Sequence, residues 1–559
     1  MPDLTQKPCL VQTGQGFSLS YQNRLLYSKY APQKAIVQTV ERLPLLPHTL
    51  ILCASPCLWH GLPELLAKLP AHCFVLGIEA DEHLHEVAAT SLQNLLAQRQ
   101  TGNGAPPPVA LLRTDEIMDI VEIISTGKGQ AASLPPLHSF RRAIMLEMSG
   151  GTAFHADDYR RIARAAQDTI AAFWKNRATL TKLGRLFSRN LFRNLAALPR
   201  SVPLAAYHKT VERPIVVFGA GESAGQTIAA MPRGTWRSCF VLAVDAALPV
   251  LVASGITPHA IVAVESQLAI EKAYIGCTKT NATIFADMSS RQQVTAHTTG
   301  AVCYIASRFA DTRFLADLRA RGLLPPDVPA LGSVGLTATY LALNLRATSD
   351  VPVYVTGLDF SFSPGMTHTR GAPAHTARLA AANRLMPAAR YDAAFRTGAG
   401  FAQGKNDAIC TDRALSGYAQ QFAGFFGGTK NLFDLGASGL PLGIARADGI
   451  ADTPPSPYIY RKNELSFGDD LRQHIDAFFA QETAALERLK DLLTHGERAA
   501  SPGTTAREEI AQMLARREYL YLHFPDGYQC NADDLSFLKR VRGEIDVFLK
   551  DLRLAAARC

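Results

Sequence analysis

Apolar and polar positions follow two different periods along this chain, and the changeovers mark its organisation. After an irregular or β-rich lead-in over residues 1–30, short apolar runs recur at 49–54, 73–78, 109–113 and 142–148. Longer stretches such as 80–100 separate them, and TGNGAPPP (101–108) reads as a surface loop. Short apolar runs predict buried strands and the stretches between them predict helices. Their alternation implies a parallel sheet with right-handed crossovers. From 155 to 195 the pattern is continuously helical, until Pro199 and Pro203 break it. A second alternating series follows, with strands expected at 215–218, 240–244, 260–264, 283–286, 302–306, 353–356 and 431–435. Pro454, Pro455 and Pro457 close that series.

Beyond about residue 463 the period is helical again. Leu471, Ile475, Phe478, Leu486, Leu489 and Leu493 fall on one face. Thr505 and Glu508 have the spacing of a capping box, and Leu535, Leu538, Val541, Ile545 and Leu549 form a third stripe. Such stripes are core faces, of a helical C-terminal domain or of a surface that joins two copies. The expectation is an α/β protein in three parts. A Rossmann-like N-terminal domain with a basic helical linker spans 1–205, a central α/β domain 206–455, and a helical C-terminal domain 456–559.

Composition narrows the class. A chain of 559 residues is too long for one ordinary domain. No run of about 18 uncharged apolar residues predicts a membrane span, and the first residues lack the apolar core of a secretory signal. The ten cysteines are scattered, and Cys53 and Cys57 form a lone pair with no second pair to complete a zinc site. A reducing, cytoplasmic setting fits this usage. The net charge is +8, and between Asp168 and Glu212 eight basic residues meet no acidic one: Lys175, Arg177, Lys182, Arg185, Arg189, Arg193, Arg200 and Lys209. That run is either a solvated helical face between domains or a patch that steers an anionic partner. No aromatic stacking motif accompanies it, so nucleic acid is not expected as a partner.

Candidate chemistry concentrates in the second series. RPIVVFGAGESA (213–224) reads as a strand, a turn bracketed by Gly219 and Gly221, and a helix opening at Glu222 and Ser223. Glycines after a strand let backbone N–H groups approach a phosphate, and the helix N-terminus favours an anion. They also serve simply to turn a chain. Three further strand ends carry polar groups: Asp245 in VLAVDAAL, Glu265 in AIVAVESQ and Asp359 in VYVTGLDFSF. In an open parallel sheet, ligands bind at strand C-termini beside a switch point. Singly, Asp245 reads equally as a helix N-cap and Asp359 as a turn acid. Ser333 in ALGSVGLTA opens a helix, as N-cap or as ligand hydroxyl. The loop SPGMTHTRGAPAH (363–375) holds His368 and His375, with Gly365, Gly371 and Pro373 to turn it, and a histidine there suits a general base. In the first series Glu79 ends a strand where an acid can face a ribose, but the preceding SPCLWHG lacks the glycine pattern of a dinucleotide site.

In order, GAGES, VDAAL…SGITPHAIVAVES, GSVGLTATYLAL and VTGLDFSFSPGMTHTRG resemble the motility accessory factor family of flagellin glycosyltransferases, with NLFDLGASGLPLGI similar to its closing strand. The central domain of that family is similar to GT-A-like bacterial sialyltransferases. The resemblance implies transfer of a nonulosonic sugar, pseudaminic or legionaminic acid, from a CMP-activated donor to Ser or Thr of flagellin, supporting flagellar assembly and motility. It places Gly219, Gly221 and Ser223 near the nucleotide phosphate, Asp245 and Ser333 at the cytidine or ribose, and His368 as base; their strand-end positions add Glu265 and Asp359 to the expected nucleotide-binding residues. No cofactor and no bound metal are expected, since a CMP-sugar carries one phosphate; a homo-oligomer through the C-terminal helices is. The chain departs from the family pattern at Glu222, where the family has Pro, at His259, where it has Asp, and at Glu265, where it has Asp. Two alternatives stand beside this reading: a 6-hydroxymethylpterin diphosphokinase, whose relatives share the central domain, and a flagellin-binding assembly factor without catalysis.

Overall fold

The computed structural model describes residues 7–99, 106–112, 116, 119–128, 134–277, 280–363, 366–387, 399–451 and 465–558. Residues 101–105 of the expected loop, Arg113 at an expected strand end, Gly365, and the prolines 454, 455 and 457 lie outside them. Contacts divide the chain into two compact units, 1–179 and 180–559. Both contain parallel sheets with helices, so the expected α/β class holds.

In the first unit the lead-in forms an antiparallel ribbon of β1 (Cys9–Thr13), β2 (Gly16–Tyr21) and β3 (Arg24–Leu25). A four-stranded parallel sheet follows, from β4 (Thr49–Ala54), β5 (Phe74–Ile78), β6 (Val109–Leu112) and β7 (Arg142–Glu147), in the order β6-β5-β4-β7. Helices α1 (Lys34–Arg42), α2 (Leu62–Ala67), α3 (Glu82–Arg99) and α4 (Ile120–Thr126) join the strands. Alternate residues of β4 supply two cores, Leu50 and Leu52 to one, Ile51 and Cys53 to the other, as a strand covered on both faces requires. The chain reverses direction across the sheet between β4 and β7. Glu79 is wholly buried close to that switch point. Its oxygens accept from Ser55 Oγ at 2.8 Å and Tyr159 hydroxyl at 2.9 Å, and burial pushes its carboxyl above the ordinary range. An acid so enclosed does not face a ribose.

Helix α5 (Ala156–Ala197) is the long element the periodicity predicts. Its first half carries Tyr159, Ile162 and Ile170 into the core of the first unit, and its end carries Leu191, Phe192 and Leu195 into that of the second.

The second unit is built on β8 (Ile215–Phe218), β9 (Phe240–Val244), β10 (Ala260–Ala263), β11 (Thr283–Asp287), β12 (Val302–Ser307), β13 (Asp327–Val328), β14 (Val353–Thr356), β17 (Leu432–Asp434) and β18 (Ala445–Arg446). They form one nine-stranded parallel sheet ordered β13-β12-β11-β10-β9-β8-β14-β17-β18. The chain steps outward from β8 to β13, then returns through β14 to the other side of β8. The switch point therefore lies between β8 and β14, paired Ile215 to Val353 through Phe218 to Thr356. A separate hairpin, β15 (Gly400–Gln403) with β16 (Ala408–Thr411), interrupts the series, and the apolar pattern gave no sign of it. Helices α6 (Glu222–Ala230), α7 (Leu248–Ala253), α8 (Arg313–Ala320), α9 (Val334–Leu345), α10 (Pro373–Ala381) and α11 (Arg413–Phe426) fill the connections.

The C-terminal helices α12 (Asp469–His495), α13 (Ala506–Leu514) and α14 (Leu535–Ala556) pack into the same core as one face of this sheet. The Thr505–Glu508 capping box is present. Phe192 joins the parts, its ring 5.1 Å from Tyr519 and 5.9 Å from Phe548. Ile475, Phe478, Leu486 and Leu489 are buried within the chain, so these stripe positions serve its own core.

Part of the basic run meets α14 and the residues just after it. Arg189 and Arg193 grip Asp551 at 2.5 and 2.8 Å, Arg185 pairs with Glu544 at 2.7 Å, and Arg200 donates to the Arg558 carbonyl at 2.7 Å. Half of the run thus holds the last helix. Asp551 is almost fully buried between two guanidinium groups. Removing its carboxylate leaves those cations uncompensated, so Asp551→Ala is expected to destabilise the second unit by about 3 kcal/mol in urea unfolding, whereas Arg200→Ala, at a more exposed site, should cost far less.

Candidate active site at the strand ends of the second sheet

The loops leaving β8 and β14 cross at very close range. Gly219 N–H donates to the Thr356 carbonyl at 2.8 Å and Gly221 N–H to the Gly357 carbonyl at 2.9 Å. A Cβ on Gly219 would stand 2.2 Å from the Gly357 oxygen, and one on Gly221 2.6 Å from an Asp359 oxygen. Gly357 has φ +70°, a conformation glycine adopts without strain. The glycines therefore let two backbones pass. Gly221 N–H, one of the groups expected to meet a phosphate, is already paired within the protein.

Asp359 closes the crossing. Its carboxylate accepts from Ser223 N–H at 2.8 Å and from the Ser223 hydroxyl, and that hydroxyl accepts from Gly357 N–H at 2.9 Å. Both residues are buried. The first turn of α6 thus already holds an anion of the chain's own. Burial pushes the Asp359 carboxyl up to about 6, against the opposing pull of the Ser223 hydrogen bonds and of Lys405. Behind it Lys405, on the β15–β16 turn, pairs with Asp434 at the end of β17 at 2.6 Å, both side chains nearly unexposed. Nothing in the strand pattern marked Lys405; only a lysine in a tight GKND turn hinted at it.

A cavity of about 260 Å³ opens beside this crossing. Of the residues singled out from sequence, Gly219, Gly221, Ser333, Asp359 and His368 line it. Ser223 does not; it lies inside the crossing. Val334 and Gly335 join Ser333 at the start of α9, and the Ser333 side chain caps no N–H of that helix. The remaining wall is chiefly apolar: Leu358, Phe360, Phe362, Leu415 and Val244. Sequence reasoning missed these residues, because an apolar loop wall has no period to reveal it.

His368 is half-buried, its Nδ1 3.2 Å from Thr367 Oγ1. Its loop is pinned to the glycine turn by Thr369 N–H donating to the Ala220 carbonyl at 2.9 Å. His375 lies on the first turn of α10, where Nδ1 meets Gly371 N–H at 3.4 Å, and it does not line the cavity. Asp245 sits between two lining residues, Val244 and Ala246, but is itself buried. Its Oδ1 accepts from Ala246 N–H at 2.7 Å, while Oδ2 has no hydrogen-bond partner. Burial, reinforced by the nearby Glu265 charge, pushes it up to about 7. Glu265 is exposed, accepts from Gln267 N–H at 2.9 Å and is not part of the cavity wall.

The departures from the family pattern have local reasons. The Glu222 carboxylate turns onto the His368 loop and accepts from Ser363 Oγ at 2.5 Å. His259 Nδ1 accepts from Val241 N–H at 2.9 Å, a bond a carboxylate could also accept, with its ring stacked on Phe240. Burial and Arg213 hold it down to about 4, so the ring stays neutral and able to accept. Among the described residues no three His, Cys, Asp or Glu side chains are grouped to hold a metal ion.

Three comparisons bear on this arrangement. The profile of the family described as "6-hydroxymethylpterin diphosphokinase MptE-like" matches residues 189–365, which include the crossing and the start of α9. An uncharacterized protein of Treponema pallidum (strain Nichols) is 30% identical over 569 residues, covering 97% of this chain and 94% of that one. The solved structure of a Maf glycosyltransferase from Magnetospirillum magneticum AMB-1 superposes with a TM-score of 0.52 at 14% identity, over 99% of this chain and 92% of that one. The last likeness shows a shared fold.

Asp245 offers a test of the site's electrostatics. Its folded carboxyl holds a proton to about pH 7, while in the unfolded chain it ionises near 4. Stability is therefore fully present below about pH 4 and is lost as pH rises toward 7. Asp245→Asn removes that titration. Its stability relative to wild type should rise between pH 5 and 7, by at most about 1.4 kcal/mol per pH unit, and level off above; denaturant melts across that range check this.

Proposed function

We propose that this chain, which belongs to one family with the Treponema pallidum protein, is a glycosyltransferase that moves a nonulosonic sugar from a CMP-activated donor to Ser or Thr hydroxyls of flagellin. The observation that carries the reading is the cavity at the second switch point, where Gly219, Gly221, Ser333, Asp359 and His368 meet. The order of motifs along the chain and the fold shared with a Maf glycosyltransferase support it. Flagellin as acceptor, the CMP-nonulosonate donor and a cytoplasmic setting belong to this proposal. Among the described residues no helix is long and apolar enough to cross a membrane.

The donor position is part of the same proposal. The α6 N-terminus is filled by Asp359, so an arriving phosphate would meet a carboxylate there. The start of α9 faces the cavity with an uncommitted serine side chain and the positive end of a 12-residue helix. We place the donor phosphate at Ser333–Gly335, with the apolar wall against the nucleoside. The acceptor hydroxyl then attacks C2 of the sugar. His368 takes the hydroxyl proton as the new C–O bond forms, and the bond to the phosphate breaks with its electron pair on the leaving CMP. The α9 N–H groups stabilise that developing charge. Asp359 acts as a brace for the floor of the site.

The match to the MptE-like profile favours a second reading, diphosphate transfer from ATP to 6-hydroxymethylpterin. Incubation with ATP, Mg²⁺ and the pterin separates the two.

His368→Ala is expected to lower sugar transfer by about a hundredfold, the scale of a lost base, with CMP affinity little changed; His375→Ala should transfer normally. Intact-mass analysis of flagellin incubated with donor and each variant reads both. Full transfer by His368→Ala would place the base elsewhere.

A further inference from the structure

Phe360 stands in the left-handed region, with φ +48°. A bulky residue there is strained, since its Cβ crowds its own backbone, and glycine would adopt the same turn without that cost. The surroundings enforce the conformation. On one side Asp359 is fixed by Ser223 and by its carbonyl, which accepts from Leu440 N–H at 2.8 Å. The Phe360 carbonyl accepts from Thr411 Oγ1 at 3.0 Å, and Phe362 pairs with Cys410 through both backbone bonds, at 2.8 and 3.1 Å. The β15–β16 hairpin thus clamps the segment from outside.

What this strained turn carries is an aromatic ring in the cavity wall. Phe360 lines the cavity and retains 8% of its surface, with the Tyr418 ring 6.2 Å behind it. Leu358, Phe362, Val244 and Val334 extend the apolar surface. Among the described residues no lysine or arginine lines the cavity. Its volume of about 260 Å³ suits the nucleoside portion of a ligand better than an extended, multiply charged one. Recognition must therefore draw on contact with a flat, weakly polar group.

We infer that Phe360 is a substrate-binding residue that presents an aromatic face to the planar heterocycle of the substrate. The inference rests on the nucleotide-sugar reading for the identity of that heterocycle, a cytosine, but not for the contact itself. Aromatic stacking on a base is tolerant of ring identity and strong enough to govern affinity. The β15–β16 hairpin, with Thr411, holds the backbone of this turn, and so the position from which the ring enters the cavity wall.

The experiment compares CMP with ribose 5-phosphate, which keeps the sugar and phosphate but lacks the base, by calorimetry. Wild type, Phe360→Leu and Phe360→Trp are measured, with thermal melts to verify folding. Wild type should bind CMP more tightly than ribose 5-phosphate. Phe360→Leu should close that gap by about tenfold through weaker CMP binding alone, and Phe360→Trp should keep or widen it. Should the leucine variant fail to fold, the tryptophan variant still decides, because a smaller gap with the larger ring overturns the inference. Equal loss of both ligands in Phe360→Leu would mean a purely structural role and overturn it too, as would a gap unchanged by the leucine, or ribose 5-phosphate binding as tightly as CMP in wild type. If wild type binds 6-hydroxymethylpterin and not CMP, and Phe360→Leu weakens the pterin, the glycosyltransferase reading falls while the role of Phe360 stands. If wild type binds neither heterocycle, both fall.

Discussion

One hydrogen-bonded carboxylate organises the second unit. Asp359 accepts from the backbone and side chain of Ser223, so the strand end of β14 is tied to the first turn of α6. That tie is possible only because Gly219, Gly221 and Gly357 lack side chains where the loops pass. A buried carboxylate left without donors would be costly, and here two donors and the neighbouring Lys405 offset part of the desolvation. Lys405 is itself neutralised by Asp434. Four loops from distant parts of the chain therefore meet in one polar cluster beneath the cavity, and the cavity floor is set before any ligand arrives. A preformed floor lowers the ordering cost of binding.

A second group of charges acts at a distance from the site. The basic face of α5 holds α14 through Asp551 and Glu544, while Phe192 on the same helix packs against Tyr519 and Phe548. Apolar contact supplies most of the energy and the ion pairs fix the register, because a buried pair is sensitive to its geometry. The sheet that carries the cavity is thereby backed by the C-terminal helices within one core.

Strand positions and class were legible because buried parallel strands are short and apolar; β8, β9 and β14 fall on the residues their apolar runs mark. The β15–β16 hairpin was not, since an exposed ribbon such as GFAQ and AICT carries too few core positions to make a period. At the site, residue types predicted position better than role. Ser333 and His368, read from a helix start and a loop, line the cavity. Gly221 lines it too while Ser223 lies inside the crossing, and the polar groups of both are paired, to Gly357 and Asp359. A glycine turn that binds phosphate and one that lets two loops cross have the same sequence, and only the partner loop distinguishes them. Asp245 is likewise at its strand end, yet faces the interior, a choice between neighbouring positions that spacing does not make.

The chain's own carboxylate occupies the α6 N-terminus, and the proposed anion position is therefore the start of α9. A crystal structure with CMP bound tests it most directly. Phosphate oxygens are expected within hydrogen-bond distance of Ser333 and the first N–H groups of α9, with Asp359 still on Ser223. Phosphate seated on Gly219–Ser223, with Asp359 displaced from Ser223 N–H, would contradict it.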